Sequence, residues 1–113
     1  MKNTMINLSD KKCVACEGGV PPFNEKEIKK YLGQLDKGGW KVVDDKKITK
    51  DFKFKDFKGA MEFVNKVADI AAGEGHHPDI YVFYNHVKLE LWTHAINGLF
   101  ENDFIIAAKI SIL

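Results

Sequence analysis

Three of the chain's four histidines fall in one C-terminal block. The block reads Gly75-His76-His77-Pro78-Asp79, then Thr93-His94, then Asn97-Gly98-Leu99, then Asp103. Histidine is the side chain whose unperturbed pKa lies nearest neutrality, so such rings can give or take a proton at ordinary pH. Clustering them is costly unless they are bound, paired or working. The chemistry they suit is proton transfer, and no nucleophile is obvious beside them. His76, His77, His94 and Asp103 are also a rival metal set, since a catalytic zinc takes three protein ligands. Adjacent histidines seldom both reach one ion, so no metal is expected. His86 stands outside the block and reads as a strand-turn residue facing solvent.

The spacing puts these residues on separate elements: a loop, a strand end and the turn before a helix. Asn24 with Glu27 three residues on is a variant of the capping box. Ile28, Tyr31, Leu32 and Leu35 follow at helical spacing, and Gly38-Gly39 stops that element. Residues 40–43 read as a strand, Asp44-Asp45-Lys46-Lys47 as a polar turn, and residues 48–54 as the returning strand of a hairpin. Asp56 caps the clearest amphipathic helix in the chain. Its apolar stripe runs through Phe57, Ala60, Met61, Val64, Val67 and Ala71 to stops at Gly73 and Gly75. Residues 80–84 and 86–93 read as two strands around a tight turn near Asn85. Val87, Leu89, Leu91 and Thr93 share one face of the second strand, and His86, Lys88, Glu90, Trp92 and His94 share the other. A final helix is expected over 103–113. The order α-β-β-α-β-β-α implies an α+β fold: a four-stranded antiparallel sheet with three helices packed on one face.

A chain of 113 residues is one domain. Seventeen basic residues against sixteen acidic ones leave a net charge of +1, too balanced to imply nucleic acid. The first residues hold no apolar run like a signal peptide, and no stretch approaches the ~20 apolar residues that span a bilayer. A cytoplasmic, reducing setting is therefore expected. Residues 1–22 read as a mobile or loosely docked arm closed by Pro21-Pro22, ahead of a domain over 23–113. The arm carries Cys13 and Cys16 as a CxxC. It lacks the βαβ setting of a redox motif and the second pair of a structural zinc site. An incidental pair is favoured over a metal half-site or a redox couple.

The histidine block resembles pterin-4a-carbinolamine dehydratase. The resemblance lies in His76-His77-Pro78, Tyr84-Asn85, Thr93-His94, Gly98-Leu99 and Asn102-Asp103-Phe104. Upstream, Trp40 and Phe52-Lys53-Phe54-Lys55-Asp56-Phe57 agree, and Cys13-Val14-Ala15-Cys16 looks like the CxxC of bacterial-type members. The resemblance runs from about Cys13 to Ile110. It implies a hydro-lyase that dehydrates the 4a-hydroxytetrahydropterin left by aromatic amino-acid hydroxylases, giving quinonoid dihydropterin for a reductase to recycle. It implies no metal or organic cofactor, and a homodimer or homotetramer associating through sheet edges and the long helix. Animal members also serve as a dimerisation cofactor for a homeodomain transcription factor. A non-catalytic scaffold on the same frame is thus the alternative, although balanced charge argues against direct DNA contact.

Within that frame His76 and His94 are the expected acid/base pair, and His77 is a third catalytic residue that orients the substrate and shares in proton transfer. Pro78 holds His77 extended and so aims the adjacent rings apart. Thr93 steadies His94. Asp103 either holds a histidine or sits in the first turn of the last helix, where negative charge is favourable. Trp40 is either a wall for the pterin ring or core, with core favoured. Two positions depart from the family pattern. Ala72 stands where many members carry an acid, with Glu74 as a stand-in. Phe100 stands where many carry a Ser or Thr cap, leaving Asn102 to cap instead or Phe100 to pack in an oligomer interface.

Overall fold

The computed structural model describes residues 7–14, 18–35 and 38–113. Helix α1 (Glu25–Leu32) opens on the expected capping box: Asn24 Oδ1 accepts from the Glu27 amide, and Glu27 Oε1 accepts from the Asn24 amide, both at 2.9 Å. It stops at Gly33 rather than running on to Gly38-Gly39, although Leu35 is still buried. Strands β1 (Lys41–Val43) and β2 (Lys47–Lys53) form the first hairpin. Asp44 and Asp45 both take positive φ at its turn, a conformation aspartate tolerates better than most residues. Helix α2 (Phe57–Glu74) is capped by Asp56, whose carboxylate accepts from the Gly59 amide at 2.8 Å. Strands β3 (Asp79–Phe83) and β4 (His86–Leu91) follow, then α3 (Glu101–Ser111).

The sheet is antiparallel in the order β1-β2-β4-β3, which puts β4 in its interior and β3 on an edge. Strand alternation sorts the faces. Val87, Leu89 and Leu91 of β4 are fully buried, with Ile48 of β2 opposite Leu91. They join one apolar core with Ala60 and Val67 of α2 and Phe104 and Ile106 of α3. Helix α3 is buried around most of its circumference from Asn102 to Ala107, so it carries little amphipathic pattern. Phe23 stacks on Tyr31 at 4.9 Å and meets Phe100 at 5.5 Å, tying the start of α1 to the start of α3. Phe100 thus packs within its own chain.

The arm expected to be mobile or loosely docked is fastened over residues 7–14. Leu8 is buried in a short 3-10 turn, Leu8–Asp10. Lys109 donates to the Ser9 carbonyl, and Lys11 pairs with Glu101, at 2.8 and 2.7 Å. One of these is a side chain bonding to backbone and the other a single long-range ion pair, and neither leaves a periodic signal. Further on, a Cβ on Gly98 would lie 2.5 Å from Pro22 Cβ, so only glycine lets the chain pass there. Cys16 lies outside the described residues.

Leu89 sits at the centre of this core. Leu89→Ala is expected to cost about 2–5 kcal/mol by urea unfolding, whereas Leu113→Ala, half exposed at the terminus, is expected to stay within about 0.5 kcal/mol of the parent. Equal losses at the two sites would contradict the assignment of the core.

Candidate active site

Helix α2 ends because Gly75 turns left-handed, with φ of 67°, and its amide caps the Ala71 carbonyl. The chain then delivers His76 directly from the helix end. His76 Nε2 lies 2.6 Å from Asp103 Oδ1. Asp103 is wholly buried at the third position of α3. Its other oxygen accepts from the Phe100 amide at 3.0 Å and from the Thr93 hydroxyl at 2.8 Å. A buried carboxylate is tolerable only when so bonded, and the start of a helix favours its charge. With Asp103 ionised both oxygens accept, so Nε2 of His76 carries hydrogen. Nδ1 is then the ring nitrogen with a free lone pair. One carboxylate therefore fixes both the place and the tautomer of His76.

His94 is placed differently. β4 ends at Leu91, and the Thr93 amide donates to the Gly98 carbonyl at 2.8 Å, closing a small loop. His94 opens the 3-10 turn inside that loop, and Asn97 completes it in a left-handed conformation. The His94 ring stacks on Trp92 with centroids 4.0 Å apart. Trp92 is itself held, because its indole N–H donates to Asp79 Oδ2 at 3.1 Å. The run 76–79 thus holds one histidine and, through Asp79 and Trp92, braces another.

These residues border an open cavity of about 540 Å³, within the usual range for small-ligand sites. His76, His77, Pro78, Thr93 and His94 all line it. His77 is exposed and Pro78 buried. Asp103 lies behind the wall, bonded to His76. Trp40 is elsewhere: buried edge-on to Phe52, with its indole N–H toward Ser111 Oγ at 3.4 Å. Among the described residues no three His, Cys, Asp or Glu side chains are grouped as a metal would require. His86 stacks on Phe83 at 5.0 Å, away from the cavity.

Seven further lining residues were not assigned to the site from sequence: Val14, Glu74, Gly75, Asp79, Trp92, Ala95 and Asn102. Trp92 was discoverable, because strand alternation puts it on the face of His94. The roles of Glu74 and Asn102 differ from expectation. Glu74 Oε1 accepts from the Cys13 amide at 2.8 Å, and Oε2 lies 3.7 Å from Lys109. Its partners are thus the arm and α3, so it does not stand in as the acid missing at Ala72. Asn102 does not cap α3. It clamps the backbone of Val14, and Asp103 captures the Phe100 amide in its place. The Cys13 thiol is pushed up to about 12, first by burial and then by the nearby charges of Glu74 and Asp103. It is therefore no ready thiolate.

Residues 21–113 match the family described as pterin 4 alpha carbinolamine dehydratase, so the arm up to residue 20 precedes the matched segment. A Rickettsia bellii protein named provisionally as a pterin-4-alpha-carbinolamine dehydratase is 50% identical over 107 residues, covering 95% of this chain and 94% of its own. One from Alkaliphilus metalliredigens with the same provisional name is 46% identical over 106 residues, covering 94% and 95%. A crystal structure described as a transcriptional coactivator/pterin dehydratase from Brucella melitensis superposes with a TM-score of 0.74. It is 39% identical and covers 80% of this chain and 96% of its own.

Replacing Asp103 tests the bonding scheme. Asp103→Leu strands two buried donors, Phe100 N–H and Thr93 O–H, and is expected to cost about 2–6 kcal/mol in urea unfolding. Asp103→Asn keeps one carbonyl oxygen for those donors and is expected to cost clearly less. Equal losses would show that the carboxylate does not serve them.

Proposed function

Because the chain belongs to the pterin 4 alpha carbinolamine dehydratase family, we propose that it is a hydro-lyase removing water from a 4a-hydroxytetrahydropterin. The product is quinonoid dihydropterin. The reaction breaks the C4a–O bond, releases the N5 proton and forms the C4a=N5 double bond. One group must protonate the departing hydroxyl and another must take the N5 proton. The observation that carries this reading is the cavity itself, which gathers His76, His77 and His94 with one of them locked to a buried carboxylate.

His76 is the better base of the two principal histidines. Its Nε2–H is committed to Asp103, so Nδ1 is left to accept, and the carboxylate lies against the imidazolium that results. His94, on the Trp92 face, then supplies the proton to the leaving hydroxyl. His77, exposed at the cavity wall, orients the pterin. Thr93 acts behind them by bonding Asp103. No step calls for a metal or an organic cofactor. The substrate comes from an aromatic amino-acid hydroxylase, which places the protein in tetrahydropterin recycling in the cytoplasm. No described helix is long and apolar enough to cross a membrane.

Phenylalanine hydroxylase can generate the 4a-hydroxy adduct in place, and its ultraviolet absorbance reports the decay. This protein is expected to accelerate that decay, and His76→Ala and His94→Ala are each expected to lower kcat by about 10²–10⁴-fold, the usual worth of general acid–base catalysis. No acceleration by the parent chain would overturn the enzymatic reading and put a scaffold role first. Such a role has one support, the coactivator description carried by the Brucella melitensis structure.

The reading includes a homo-oligomer. Strand β3 is a sheet edge whose Tyr81, Val82 and Phe83 are exposed, and an unpaired edge of this kind is a template for another strand. A second copy pairing along β3 covers it. Val82→Lys is expected to lower the mass seen by sedimentation equilibrium to that of one chain. An unchanged mass for the variant, or a monomeric parent, would remove β3 as the interface.

A further inference from the structure

The arm meets the cavity at Val14, and the way it is held is unusual. Val14 is 61% exposed yet lines the cavity wall. Asn102 is 2% exposed and spends its whole amide on the Val14 backbone. Oδ1 accepts the Val14 N–H at 3.0 Å, and Nδ2 donates to the Val14 carbonyl at 2.6 Å. One residue earlier, Glu74 holds the Cys13 amide at 2.8 Å. Glu74 and Asn102 come from the end of α2 and the start of α3, the two helix ends that also deliver His76 and Asp103.

Folding alone does not explain this arrangement. Fixing backbone opposes folding, and an exposed valine recovers little by burial. What the clamp does provide is an apolar side chain held at a set place in the wall that also carries His76, His77 and His94. Small-ligand sites combine those two kinds of surface.

Resting on the dehydratase reading, we propose that the N-terminal arm is a working wall of the site, in which Val14 contacts the bound heterocycle and determines affinity. Asn102 and Glu74 are positioning residues that act through the arm. The ligand class is a flat, nitrogen-rich bicyclic ring whose apolar edge or short side chain rests against the valine. The CxxC acquires a partial explanation as well. Cys13 directs its thiol to the Asn102 carbonyl at 3.7 Å, one residue before the clamped Val14.

The test uses the full chain with Val14→Ser, Val14→Asp and Val14→Ile. Exposure at this position leaves the fold free to tolerate all three. The hydroxylase-coupled assay is expected to show KM raised about three- to tenfold for Val14→Ser, as for one or two lost buried methylenes, and more for Val14→Asp. kcat should change by less than about twofold, and Val14→Ile should keep the parent KM, because loss confined to KM marks binding common to ground and transition states. Asn102→Ala is expected to raise KM in the same way, and Asn102→Ala combined with Val14→Ser should add little further. Parent-like KM in both Val14→Ser and Val14→Asp would overturn the proposal. If the parent itself shows no dehydration, the dehydratase reading fails separately. Calorimetric titration with 7,8-dihydrobiopterin then decides the wall: weaker binding by Val14→Asp supports it, and equal or absent binding in both overturns it.

Discussion

The carboxylate of Asp103 is where three segments of this chain are held together. It takes a hydrogen bond from the end of α2 through His76, from the end of β4 through Thr93, and from the start of α3 through the Phe100 amide. Each donor comes from a different part of the sequence, and the acceptor is fully buried. Leaving any of them unmatched in that setting costs about 1–3 kcal/mol. The fold and the site therefore share a fixture. The same carboxylate that caps the last helix also sets the tautomer of a histidine in the cavity.

The two principal histidines are held by different physics. His76 is fixed by a charge-assisted hydrogen bond, which is short and directional. His94 is fixed by stacking on Trp92, which limits the ring's plane but leaves its nitrogens to other partners. That asymmetry suits a reaction needing one proton acceptor and one proton donor. Asp79 links the halves, since the loop that presents His76 also anchors the indole beneath His94. A displacement of this loop thus disturbs both groups together.

Much of the fold was legible because burial imposes periodicity. The alternation through Val87, Leu89 and Leu91 gave β4, and the stripe from Ala60 to Ala71 gave α2. Asn24 and Asp56 marked helix starts by a local hydrogen bond that needs no tertiary context. The start of α3 was misplaced by two residues because Phe100 carries no capping group, and its amide is captured instead by Asp103 within the helix. The docked arm was illegible for a related reason. Asn102, Glu74 and Lys109 hold it through backbone atoms, which any residue possesses. The histidines that line the cavity stood out by type and spacing, and strand alternation already put Trp92 beside His94, whereas Asn102 emerged only when the helix ends were brought together.

A double-mutant cycle on His76 and Asp103 tests the central claim most directly. The single variants His76→Gln and Asp103→Asn and the double variant are compared by single-turnover dehydration of the 4a-hydroxy adduct. Asp103→Asn offers His76 an amide where it had a carboxylate, which frees the ring to take the other tautomer. If Asp103 works through His76, each single variant is slow and the double variant is little slower than His76→Gln alone. Losses that simply multiply would contradict the account, because Asp103 would then serve the fold and not the reacting histidine.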